Sequence, residues 1–83
     1  MKGNKVEISL NTPILIEVHE GEGPHKTREE AVTRIVGTVL DVSEAGLTVE
    51  WSELYNERRQ KLAPPRRWVF LPLFKIDHCT ALS

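Results

Sequence analysis

The segment RRWVFLPLFKIDHC, residues 66–79, sets eight apolar side chains in fourteen positions and interrupts them with Pro72. Proline lacks the backbone N–H, clashes in a helix interior and is excluded from the middle of a sheet. An unbroken helix or a central strand is therefore ruled out. The run predicts two strands, RWVFL and LFKIDHCTAL, meeting at a bend. Arg66 and Arg67 before it and Lys75 and Asp77 within it keep it far short of the roughly 18 uncharged residues of a membrane span. Its apolar load is expected to face a core, and a neighbouring subunit.

The rest of the chain carries the same signature. KVEISL (5–10) alternates Val6, Ile8 and Leu10 with polar residues, the period of a half-buried strand. NTP (11–13) predicts a break, and ILIEV (14–18) a second strand rich in β-branched residues. HEGEGPHKT (19–27) reads as a loop, and TREEAVTR (27–34) as one helical turn, because Thr27 and Glu30 have capping-box spacing. IVGTVLDV (35–42) is a strand whose interior Gly37 predicts a bulge or bend. DVSEAG (41–46) supplies a turn, with Gly46 expected at positive φ. LTVEWSE (47–53) is a clean alternating strand, and residues 54–67 read as a polar connector that straightens at Pro64-Pro65. The expectation is one domain over 1–83, mainly β, an SH3-like small barrel of five or six strongly bent antiparallel strands, with long loops at 19–34 and 54–67.

A chain of 83 residues buries only about 60 % of its unfolded surface, which makes self-association a natural way of hiding more. One cysteine leaves no internal disulfide and no cysteine-based zinc site. MKGNKVEISL has no signal-peptide core, so a reducing, cytoplasmic setting is expected. The net charge of −1 hides an asymmetry: residues 1–57 hold five Lys/Arg against eleven Asp/Glu, residues 58–83 six against one. Five cations, Arg58, Arg59, Lys61, Arg66 and Arg67, fall within ten residues that contain no acid.

Catalytic chemistry finds no support. His78 and Cys79, and Asp77 and His78, are neighbours on one strand and point to opposite faces, so neither pair makes a nucleophile and base. The carboxylates are scattered, GEGP lacks the lysine and helix of a phosphate loop, and His19, His25 and His78 share no metal-ligand spacing. No enzyme activity, cofactor or metal is expected. Trp51, Trp68, Tyr55, Phe70 and Phe74 are the candidates for a base-stacking surface. The alternation assigns Trp51, Phe70 and Phe74 to the core and leaves Trp68, beside Arg66 and Arg67, exposed.

The order PILIEV, RIVGTVLDVSEAGLTVEW, RRWVFLPLFKIDHC resembles the Sm-like proteins, the LSm and Hfq family, over residues 13–82. Gly37 and Val39 stand at that family's Gly-x-Leu, and Leu47 at the apolar residue opening its next strand. Gly46 replaces the family's base-contacting Asn, the Ile-Arg-Gly ending is absent, and Leu73-Phe74 stand where Hfq has Lys-His. The resemblance implies the fold and a homo-oligomeric ring, without the uridine pocket. Asp41-Val-Ser43-Glu-Ala-Gly46 also resembles half of the PilZ cyclic-di-GMP motif, whose arginine half is missing upstream. The expected function is binding of RNA or single-stranded nucleic acid, with Arg58, Arg59, Lys61, Arg66 and Arg67 on phosphates and Trp68 stacking. The alternative is an SH3-like protein-interaction module.

Overall fold

A computed structural model describes residues 2–19, 27–62 and 67–82. The described chain is almost entirely strand: β1 (Lys5–His19), β2 (Thr27–Val42), β3 (Gly46–Asn56), β4 (Lys61–Leu62), β5 (Trp68–Pro72), a 3-10 turn (Leu73–Lys75) and β6 (Ile76–Ala81). They form one antiparallel sheet in the order β4-β3-β2-β1-β6. β2 takes one edge of β3 along its length, while β4 and β5 share the other, β4 opposite Leu54 and Tyr55 and β5 opposite Gly46 to Glu50. The expected closure into a barrel is not made by strand pairing: β5 and β6 end on opposite borders of the sheet, linked by the 3-10 turn. Among the described residues no helix is long and apolar enough to cross a membrane.

Three elements differ from expectation. NTP does not end a strand: β1 runs through it, and the register against β2 slips between Ser9 and Ile14. The bulge absorbs Pro13, and Asn11 ties it to the 3-10 turn by donating from Nδ2 to the Phe74 carbonyl at 2.6 Å. TREEAVTR is strand, not helix, because β1 offers it a partner along its length, with Ile14 opposite Val32, Ile16 opposite Glu30 and Val18 opposite Arg28. The loop expected at 19–34 thus shrinks, and its remainder, 20–26, lies outside the described residues. The connector at 54–67 is also shorter, since β3 continues to Asn56 and returns through a tight turn into β4.

The core lies on one side of the sheet, built from Val6, Ile8 and Leu10 of β1, Val32, Ile35 and Val39 of β2, Leu47, Val49, Trp51 and Leu54 of β3, Leu62 and Leu71. Period-two parity decides which apolar residues reach it. In β5, Val69 and Leu71 face Val49 and Leu47, which sends Trp68 and Phe70 to the outer face. Phe70 is therefore not core, being 43 % exposed, and Phe74, on the 3-10 turn, is 76 % exposed. Eight apolar residues in a two-strand run exceed what one inward face can hold.

The two strand-associated glycines act through close approach. A Cβ on Gly37 would press on the Glu50 carbonyl, and one on Gly46 on the Leu71 carbonyl. Gly46 does not take the positive φ expected of it. The turn ahead of it is closed instead by Ser43, whose N–H donates to the Gly46 carbonyl at 3.0 Å.

Candidate nucleic-acid interface

The basic run of the sequence becomes a border of the sheet. Its described parts lie along the edge of β3: residues 58–60 in the turn after Asn56, Lys61 and Leu62 as β4, and Arg67 and Trp68 at the start of β5, while residues 63–66, with Pro64 and Pro65, lie outside the described residues. Lys61 stands opposite Tyr55 and Trp68 opposite Glu50, five residues apart on β3, or about 17 Å at strand spacing. Arg66 lies outside the described residues.

At one end of the border the 57–60 turn is organised by Asn56, buried to 8 % exposure. Its Oδ1 accepts from the N–H groups of Arg58 (3.0 Å) and Gln60 (2.9 Å). Its Nδ2 donates to Glu30 (3.1 Å) and to the Gln60 side chain (3.0 Å). The Asn56 carbonyl accepts from the Arg59 N–H and from the Thr33 hydroxyl. Arg59 sits at φ 62, the left-handed region that a non-glycine residue enters at a cost. As a result Arg58 and Arg59 line different clefts: Arg58 joins Arg28, Glu29, Glu30 and Glu57, while Arg59 joins Arg34 and Tyr55.

Lys61 pairs with Glu53 at 3.2 Å in a solvent-accessible ion pair. The Tyr55 hydroxyl donates to the same carboxylate at 2.9 Å, the Arg34 guanidinium lies 4.2 Å over the Tyr55 ring centre, and Arg34 pairs with Glu7 at 3.4 Å. This balanced lattice spans the outer face of three strands, and Val36, between Glu7 and Glu53, is buried within it. The Tyr55 hydrogen bond, with Lys61 second, holds the Glu53 carboxyl below its ordinary value, and the same bond pushes the Tyr55 phenol up.

Both signs follow from linkage. Glu53, depressed on folding, stabilises above its unfolded value, and that contribution is lost as pH falls through the folded value. Tyr55, raised on folding, stabilises below the ordinary phenol value, and that contribution is lost as pH rises through the folded one. Tyr55 is the single tyrosine, so ultraviolet absorbance reports it alone. Its titration midpoint is expected above the ordinary value of about 10 and to return towards it in Glu53→Gln. Superimposable curves for the two proteins would contradict the hydrogen bond.

At the other end, the Arg67 carbonyl accepts from the Trp51 N–H at 3.0 Å, which anchors the chain where Arg67 is exposed and Trp68 is 67 % exposed on the outer face. Trp51 is in the core and is no part of a stacking surface. On β6, Cys79 faces the core half-buried, and burial pushes its thiol up, away from a reactive thiolate. His78 and Asp77, expected to point apart, still reach each other at 3.5 Å as exposed neighbours.

Sequence reasoning missed Arg34, Glu53 and Asn56. The Glu53-x-Tyr55 spacing puts the two on one face, but continuing the Leu47, Val49, Trp51 alternation assigns that face to the core; the register slip between Trp51 and Glu53 turns them outward, and nothing in the adjacent residues marks it. No family model, curated protein or solved structure matches the chain.

Proposed function

We propose that the chain is an SH3-like, Sm-like small-barrel subunit that assembles as a homo-oligomer in the cytoplasm and binds RNA or other single-stranded nucleic acid along the Arg58 to Trp68 border. The fold reading is supported by the strand order β6-β1-β2-β3-β5 with a 3-10 turn joining the two outer strands. Self-association is supported by those two borders, which among the described residues offer unpaired strand edges to another copy. The observation that carries the binding reading is the exposure of both Arg67 and Trp68, consecutive residues at the start of β5 that offer a guanidinium fork for phosphate and a ring for stacking. Arg58 extends the phosphate track to the turn, and repetition around an oligomer multiplies a weak patch.

The test is fluorescence anisotropy with labelled oligo-U and oligo-A across a salt series. Trp68→Ala is expected to weaken binding by about 1–3 kcal/mol, the value of one stacked base. Arg67→Ala is expected to lower the salt slope by about 0.7, one phosphate contact on a single strand. Binding that ignores salt, or that both variants leave unchanged, would overturn the proposal. The second reading, a protein-interaction module, is favoured by Leu73 and Phe74, exposed together on the 3-10 turn. It predicts no oligonucleotide binding at any salt.

A further inference from the structure

A separate site stands out when the two clefts flanking the 57–60 turn are compared by charge. The cleft on the Arg58 side sets Arg28 and Arg58 among Glu29, Glu30 and Glu57, so its cations are outnumbered. The cleft on the other side, of about 230 Å³, is lined by Arg34 and Arg59 with Ser9, Thr33 and Tyr55, and by no acidic residue. We infer that this second cleft binds the phosphate of a small phosphomonoester, gripped between the guanidinium groups of Arg34 and Arg59.

Five observations converge on that chemistry. Ser9, Arg34 and Tyr55 stand in one row across β1, β2 and β3, so the floor is rigid sheet. Arg34 is held in place by the Tyr55 ring beneath it and by Glu7 at 3.4 Å, an ion pair about one-third exposed on both sides. A fixed, planar fork retains donors for a phosphate oxygen while one is shared with Glu7. Arg59 enters the cleft wall from a left-handed backbone that separates it from Arg58, and the Asn56 hydrogen bonds hold that backbone. The nearby Glu53 is engaged by Lys61 and Tyr55 and does not line the cleft. The volume lies below the range of roughly 300–1,000 Å³ for drug-sized ligands, which suits a phosphate with its attached sugar. The site lies at the far end of β3 from the 43–46 turn and does not include Arg67 or Trp68, so it shares only Arg59 with the nucleic-acid border.

The test follows backbone amide shifts of the full chain at low salt with inorganic phosphate, UMP and uridine. Phosphate and UMP are expected to give saturating shifts centred on Ser9, Arg34, Tyr55 and Arg59, and uridine none. Arg59→Gly suits the left-handed backbone and so keeps the turn, and it is expected to weaken phosphate and UMP roughly tenfold or more, the loss of a charge-assisted contact. Glu7→Gln keeps an acceptor that holds Arg34 while removing the competing charge, and is expected to tighten both. Shifts that rise linearly over all basic residues, equal binding by uridine, or unchanged affinity in Arg59→Gly would each overturn the inference. Arg67→Ala is expected to leave UMP binding unchanged, so failure of the border and failure of the cleft are read separately.

Discussion

Gly37→Ala is expected to abolish cooperative folding. The bulge between Val36 and Gly37 brings β2 against β3 so closely that a methyl group would meet the Glu50 carbonyl and the Trp51 Cα, both backbone atoms. No rotamer change relieves such a clash. The strands would have to part, drawing Trp51 out of the core between Val39, Val49 and their neighbours. Overpacking and strain of this kind reach beyond about 4 kcal/mol, a large share of the 5–15 kcal/mol that holds a typical domain, and an 83-residue domain belongs at the low end. Urea denaturation followed by circular dichroism measures it, with exposed Leu40→Ala as the control expected to change stability by less than about 0.5 kcal/mol. A Gly37→Ala protein that unfolds within about 1 kcal/mol of the parent would show that the strands are not packed this closely.

Asn56→Ala is expected to have the next largest effect, about 2–4 kcal/mol. The side chain uses both lone pairs and both N–H groups, so truncation leaves the Arg58 and Gln60 N–H groups without their acceptor and takes the Asn56 donor from Glu30. Glu30 keeps its ion pair with Arg28 at 3.3 Å, so the damage falls on the turn. Because that turn positions both Arg58 and Arg59, the variant should also lose affinity for oligonucleotide and for UMP together, which neither arginine substitution does alone. Asn56→Asp retains the acceptor and places a carboxylate against Glu30. It is expected to be intermediate in stability and to recover as pH falls through the carboxylate range. Thermal melts of the three proteins at neutral and acid pH decide it, and an Asn56→Ala melt equal to the parent's would contradict the hub.

What the sequence made legible was the local periodicity. The alternation in β1 and β3, the bulge at Gly37, the turn at 41–46 and the bend at Pro72 all leave marks in adjacent residues, and each reappears in the structure. What stayed hidden depends on partners distant in the chain. Thr27 to Arg34 has helix-starting spacing, and its pairing with β1, and with β3 at Val32 and Arg34, turns the segment into strand. The five clustered cations read as one patch because they are contiguous, yet a left-handed Arg59 splits the first two and Glu53, eight residues earlier, engages Lys61. Phe70 reads as core for a related reason: parity within β5 is set by Val69 and Leu71 against β3, information that hydrophobicity alone does not carry. Asn56, a polar residue in a polar stretch, gave no sign that it would be buried.

The most direct test of the account is the solution mass of the purified chain by light scattering, alone and with short oligo-U at low salt. The account predicts an oligomer that gains mass with oligonucleotide, loses that gain as salt rises, and fails to gain it when Arg67 and Trp68 are both replaced by alanine. A monomer whose mass is indifferent to oligonucleotide would contradict both the assembly and the nucleic-acid border.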